Sequence, residues 1–167
     1  KALEMLYHSL QLNVKYDSAY CLNGIVYYKQ GNFDLAIKQL DKALAIQPSY
    51  FEAFYARGIA KAELQYYIGA VKDFNKAVLI NQTNPKLYYN LALAKAHLDD
   101  YAHAIDDLDK AISLKNDYVQ AYYSRGYWKD MVGDYEGAIA DYRKVIELDK
   151  YYREAYMALA TTLYQHG

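Results

Sequence analysis

The sequence predicts an all-α fold, a helical-repeat solenoid built from antiparallel helix pairs. Three observations carry that prediction. Four stretches, 17–50, 51–84, 85–118 and 119–152, align without a gap at a period of 34 residues, a spacing found in stacked helical units. Inside each stretch, apolar residues return every three to four positions, which is the spacing of one helix face. Two prolines and eight glycines in 167 residues leave little to interrupt helices.

In chain order, residues 1–16 (KALEMLYHSLQLNVKY) match the second half of a unit through Ala2, Leu6 and Leu12. The first full unit places Tyr20 at its position 4 and Gly24 at position 8, then Ala36, Leu40 and Ala43 at positions 20, 24 and 27, and Ile46 at position 30. The second repeats this as Phe54, Gly58, Ala70, Phe74, Ala77 and Ile80. The third carries Tyr88, Ala92, Ala104, Leu108, Ala111 and Leu114, and the fourth Tyr122, Gly126, Ala138, Tyr142, Val145 and Leu148. Residues 153–167 match a first half through Tyr156, Ala160 and Leu163.

Each full unit therefore encodes two helices. Gly31-Asn32, Asp99-Asp100 and Gly133-Asp134 mark turns inside units; Gln47-Pro48-Ser49 and Asn84-Pro85 mark turns between them, with Asn84 suited to an N-cap and Pro85 to the first helical turn. The second unit has Gln65-Tyr66-Tyr67-Ile68 where its neighbours turn on Gly or Asp, which predicts a more apolar corner. Glycine inside a helix costs roughly 0.5–1 kcal/mol against alanine. Close approach of the two backbones, with Gly24, Gly58 and Gly126 facing Ala36, Ala70 and Ala138, is the expected compensation. Position 7 holds Arg57 and Arg125 in the second and fourth units, and their expected partners are Asp73 and Asp141 at position 23.

This pattern resembles the tetratricopeptide repeat, most clearly over 17–48, DSAYCLNGIVYYKQGNFDLAIKQLDKALAIQP. The resemblance covers the whole chain and implies helix pairs stacked into a right-handed superhelix with a concave groove lined by the first helix of each unit. It implies ligand contacts at positions 2, 5, 6, 9, 12 and 13. On this sequence those positions include Cys21, Leu22, Ile25 and Tyr28, then Tyr55 and Ile59, then Tyr89, Asn90, Leu93 and His97. The fourth unit adds Tyr123, Ser124, Tyr127 and Met131, and the last half-unit Met157 and Tyr164. The implied surface is aromatic and nearly neutral, with Tyr55, Tyr89 and Tyr123 at one register. Tyrosine combines a rigid apolar body with a hydroxyl, which suits gripping a peptide or a helix; packing of the same rings between helices is the competing reading.

The expected function is accordingly a protein–protein interaction scaffold, with a structural spacer contacting partners through its ends or convex face as the alternative. Leu3, Leu6, Leu159 and Leu163 at the half-units suggest end-to-end self-association of the chain. A sugar-binding tyrosine face is a weaker third reading. A carboxylate clamp of the kind known in the family is incomplete, because Cys21, Ile25 and Ser124 stand where cations would be needed and only Lys86 and Asn90 fit.

Other function classes find little support. A net charge of −1 gives no basic field for nucleic acid, and charged residues interrupt every apolar run before it could insert in a membrane. His8, His97, His103 and His166 are scattered, the spacing of His97 and His103 is wrong for metal ligands on one helix, and no phosphate loop occurs, so no enzyme, cofactor or metal is expected. Asp106, Asp107 and Asp109 read as a solvated helix face, and Lys61, Lys95 and Lys129 at position 11 as side chains with their ammonium groups in water. The compartment and the partner are left open, and so is the redox setting, since Cys21 is a lone cysteine.

Overall fold

A computed structural model describes residues 16–166, and the expectations for residues 1–15, including Ala2, Leu3, Leu6, His8 and Leu12, lie outside the described residues. Among the described residues there are nine helices and no strand: α1 (Tyr16–Lys29), α2 (Phe33–Ile46), α3 (Phe51–Glu63), α4 (Tyr67–Ile80), α5 (Pro85–Ala96), α6 (Tyr101–Leu114), α7 (Val119–Met131), α8 (Tyr135–Leu148) and α9 (Arg153–His166). They fall into two compact units that divide between Gln82 and Thr83. In the first unit α1 packs on α2, α3 on α4, and α2 on α3. In the second, α5 packs on α6, α7 on α8, α6 on α7, and α9 closes against α8.

The even-numbered helices start at Phe33, Tyr67, Tyr101 and Tyr135, always 34 residues apart. Their buried faces are the small-large-small sets Ala36-Leu40-Ala43, Ala70-Phe74-Ala77, Ala104-Leu108-Ala111 and Ala138-Tyr142-Val145. One stripe at four- and three-residue spacing suffices to hold each against its partner. The glycines on the odd helices face position 24 more directly than position 20. A methyl on Gly58 would sit 2.5 Å from Phe74 Cε1, and one on Gly24 would sit 2.6 Å from Leu40 Cγ. Glycine here makes room for a large side chain, not only for a neighbouring alanine.

All four corners inside helix pairs turn the same way. Gly31 and Gly133 have positive φ (78° and 88°), and so do Gln65 (61°) and Asp99 (59°) at the same register. The next residue's N–H reaches back to a carbonyl in the last turn: Asn32 to Tyr27 (2.9 Å), Tyr66 to Lys61 (2.8 Å), Asp100 to Lys95 (3.1 Å) and Asp134 to Lys129 (2.8 Å). This closes the helix end in the manner of a Schellman cap. The second corner thus keeps the common geometry without a glycine, at a conformational cost. Gln65→Gly is expected to raise stability by about 0.5–1 kcal/mol; an unchanged or lower urea midpoint would contradict it. Between pairs, Asn84 caps α5 by accepting from the N–H groups of Lys86 (3.0 Å) and Leu87 (3.3 Å), with Pro85 opening the helix.

The charged residues inside the repeats form a recurring network. Arg57 donates from Nε and Nη2 to Asp73 (2.8 and 2.6 Å) and from Nη1 to Asp41 (2.5 Å). Arg125 does the same to Asp141 (2.8 and 2.5 Å) and Asp109 (2.6 Å). The two expected pairings are present, and each carries a third bond that the sequence reading lacked. Asp41 and Asp109 belong to the preceding repeat, so each arginine ties two successive helix pairs together.

The position 11 lysines end on acids instead of in water. Lys61 Nζ lies 2.7 Å from Asp73, Lys95 Nζ 2.6 Å from Asp107 and Lys129 Nζ 3.1 Å from Asp141. Asp107 and Asp109 are consequently not a free solvated face. Leu91 occupies the arginine position of the third repeat, so Asp107 keeps only its lysine. Burial raises its pKa above the ordinary carboxylate value more than Lys95 lowers it.

Candidate functional site

The odd helices, with His97 just past the end of α5, carry the sixteen residues implied as ligand contacts, and the structure sorts them into three groups. Some are packing. Cys21 is buried, in a cluster with Leu40, Leu44 and Ala53, and burial raises its thiol pKa against a hydrogen bond with Tyr50. Its sulfur offers no surface to a ligand.

The tyrosine register is half-buried because each ring has ring neighbours of its own. Tyr55 stacks on Phe51 (5.9 Å) and tilts against Phe74 (6.1 Å). Tyr89 tilts against Tyr118 (5.2 Å), and Tyr123 against both Tyr142 (6.0 Å) and Tyr152 (5.1 Å). Tyr28 leans on Phe33 at 5.7 Å. Ile25, Ile59, Asn90 and Ser124 are also partly covered. Much of the stripe's area therefore holds helices together.

A second group is exposed without enclosing anything: Leu22, Met157 and Tyr164, the last of them almost entirely in solvent. The third group converges. Leu93 and His97 near the end of α5, and Tyr127 and Met131 near the end of α7, line one cleft of about 170 Å³ together with Ala96, Tyr101 and Trp128. Tyr127 and Met131 are four apart on α7 and so share a face. Both are about half exposed, while Trp128 is buried behind them.

Tyr101 and Trp128 are the lining residues that register reasoning missed. Tyr101 had a signal: Phe33, Tyr67, Tyr101 and Tyr135 put an aromatic ring at the same place in every unit. Trp128 had none, since its register holds Val26, Ala60 and Ala94 elsewhere.

At the edge of the cleft a hydroxyl meets a carboxylate. Tyr101 Oη donates to Asp99 Oδ1 (3.0 Å), and that bond, ahead of burial, raises its pKa. Burial raises Tyr123, with Glu154 and then Tyr127 adding to it. Burial also raises Tyr142, with the charge of Asp130 and then Tyr123 and Tyr127 adding to it. The raised pKa keeps each of these phenols neutral. His103 Nδ1 meets Asp100 at 2.7 Å, and His166 stacks on Tyr135 at 3.6 Å. Among the described residues no group of His, Cys, Asp and Glu is placed to hold a metal, and no helix is long and apolar enough to cross a membrane.

Family models agree with this architecture. A TPR repeat model matches residues 24–65 and 132–167, and a tetratricopeptide repeat model matches residues 85–118. The chain belongs to the tetratricopeptide-repeat family. Its fold class is the all-α helical-repeat solenoid, and proteins of this family are in general non-enzymatic interaction scaffolds.

Solved structures with the same fold include the MamA protein, at 28% identity and a TM-score of 0.85 over 88% of this chain and 80% of that one. They also include YrrB, described as a TPR protein with an unusual peptide-binding site, at 23% identity and 0.85 over 94% and 81%. Residues 41–end of MamA from Desulfovibrio magneticus RS-1 align at 20% identity and 0.79 over 90% and 94%. No curated protein matches the chain.

Proposed function

We propose that this tetratricopeptide-repeat chain is an adaptor that docks a segment of a partner protein on its odd-helix face, with one apolar side chain of the partner seated in the α5–α6–α7 cleft. The observation that carries the reading is the convergence of Leu93, His97, Tyr127 and Met131, four residues chosen by register alone, on a single concavity. A volume of about 170 Å³ suits one large side chain and is smaller than the several hundred Å³ of a small-molecule pocket. The walls are leucine, alanine, methionine and aromatic carbon, the composition of an interface anchor site. The peptide-binding site named for YrrB, a protein of the same fold, is consistent with this reading.

The test is selection of random twelve-residue peptides on the chain, followed by fluorescence anisotropy of the winners. The double variant Tyr127→Ala/Met131→Ala removes exposed side chains and should keep its helicity. It is expected to weaken the selected peptides by more than about tenfold. Equal binding to both proteins would refute docking in the cleft.

A second reading, assembly through α9, draws on the exposed Tyr156, Met157, Leu163 and Tyr164. The same variant separates the two, because contacts made through α9 survive it.

A further inference from the structure

We infer that a second cleft, in the first compact unit, docks an acidic segment of a partner protein, an apolar side chain flanked by aspartate or glutamate. None of the sixteen residues implied as ligand contacts lines it, so it is independent of the docking reading above. The cleft measures about 400 Å³ and lies between Phe54 and Arg57 of α3 and Lys72, Asn75, Lys76 and Leu79 of α4. Its apolar part is the half-buried Phe54 ring together with Leu79, which is 75% exposed.

The charges inside the fold are already matched. Asp73, which also lines the cleft, is buried and bonded by Arg57 and Lys61, and Asp41 takes the remaining Arg57 bond. Arg57 and Lys61 thus balance Asp41 and Asp73. Lys72 and Lys76 are left over. They are exposed, four apart on one face of α4, and among the described residues neither makes an ion pair.

Comparison with the other repeats shows what these lysines lack. Position 25 holds Asp41 and Asp109 in the first and third repeats, each bonded to the arginine of the next; the second repeat has Asn75 there. Lys42 and Lys144 share the register of Lys76. Lys144 pairs with Glu147 at 2.6 Å, and at the register of Glu147 the second repeat has Leu79. Lys42 lies over the Tyr20 ring at 5.3 Å, whereas the equivalent ring, Phe54, already has Arg57 over it at 5.6 Å.

The cleft therefore sets two ammonium groups of uncancelled charge beside an exposed leucine and a ring. Carboxylates flanking an apolar side chain would satisfy both parts. A basic segment would bring like charges together, and that repulsion selects against it.

Four dansyl-labelled twelve-residue peptides decide the matter. Three share a central Leu-Ser-Leu and differ in flanks of glutamate, serine or lysine; the fourth keeps the glutamates and replaces both leucines by serine. The glutamate-flanked leucine peptide is expected to bind about tenfold tighter than the serine-flanked one, and the lysine-flanked one more weakly still. Lys72→Glu/Lys76→Glu should reverse that order with circular dichroism unchanged. Leu79→Ser should weaken the glutamate-flanked leucine peptide by about fivefold, and Tyr127→Ala/Met131→Ala should leave it unaffected. Equal binding of the three leucine peptides, a preference that survives the double reversal, loss in Tyr127→Ala/Met131→Ala, or no binding up to millimolar concentration would overturn the inference. So would the fourth peptide, or a twelve-nucleotide single strand, binding as tightly as the glutamate-flanked leucine peptide, because the lysines would then accept any polyanion.

Discussion

Arg125→Ala is expected to destabilise the chain by about 3 kcal/mol, the range seen when one partner of a buried ion pair is removed. The Arg125 side chain is 16% exposed and that of Asp141 only 5%. Burial works against the guanidinium charge, but the hydrogen bonds and charges of Asp141 and Asp109 together outweigh it, and its pKa rises. Deleting it leaves the Asp141 carboxylate in the interior with Lys129 at 3.1 Å as its remaining cation.

Asp109→Ala should cost less than about 1 kcal/mol, since a half-exposed carboxylate loses little Coulomb energy in water; its side chain is 55% exposed. Urea unfolding of the wild type and the two variants checks the ordering. Equal losses would mean that the arginine acts by linking repeats through Asp109 and not by neutralising Asp141.

The network also shows how far the sequence could be read. The period, the helix pairs and the Arg57–Asp73 and Arg125–Asp141 pairs were legible because each is local to one repeat and recurs at fixed register, and the Asn84-Pro85 cap because its residues are adjacent in sequence. The bonds to Asp41 and Asp109 were not, although both lie 16 residues before their arginine, as Asp73 and Asp141 lie 16 after. They cross between repeats, and how one helix pair sits on the next is a packing outcome that no single unit encodes. The lysines were misjudged because a long flexible stem can deliver its charge to water or to a buried acid, and register alone does not choose.

At the candidate site, register picked out four of the residues that line the cleft but gave Cys21 the same standing as Tyr55, Tyr89 and Tyr123. A thiol at that position does not extend past its neighbours, and Tyr50 covers it. Register specifies direction; side-chain length decides whether the residue arrives at the surface. Trp128 entered the cleft through a change of size at a register where the other repeats keep smaller residues, and that is information carried by one repeat alone.

The same trade of volume between facing positions makes the effect of Gly126→Ala depend on residue 142. In the wild type a methyl at 126 would lie 2.9 Å from Tyr142 Cε1 and 3.1 Å from Asp141 Cβ. Tyr142 is 1% exposed, so its ring has nowhere to retreat. Overpacking of this kind costs about 1–3 kcal/mol, more than the roughly 1 kcal/mol of helix propensity that alanine returns.

The third repeat fills the equivalent place with Ala92 and Leu108, both fully buried, which moves the methyl to one helix and takes the ring off the other. In a Tyr142→Leu background, then, Gly126→Ala should be neutral or stabilising. Tyr142→Leu by itself should cost about 2–3 kcal/mol for the lost contacts and the space left behind. A double-mutant cycle measured by urea unfolding is expected to give a coupling of about 2 kcal/mol, well above the few tenths expected of independent sites. Additive effects would show that the α7 and α8 backbones adjust freely to the volume between them. The glycine would then be a matter of helix spacing alone and not of the ring it faces.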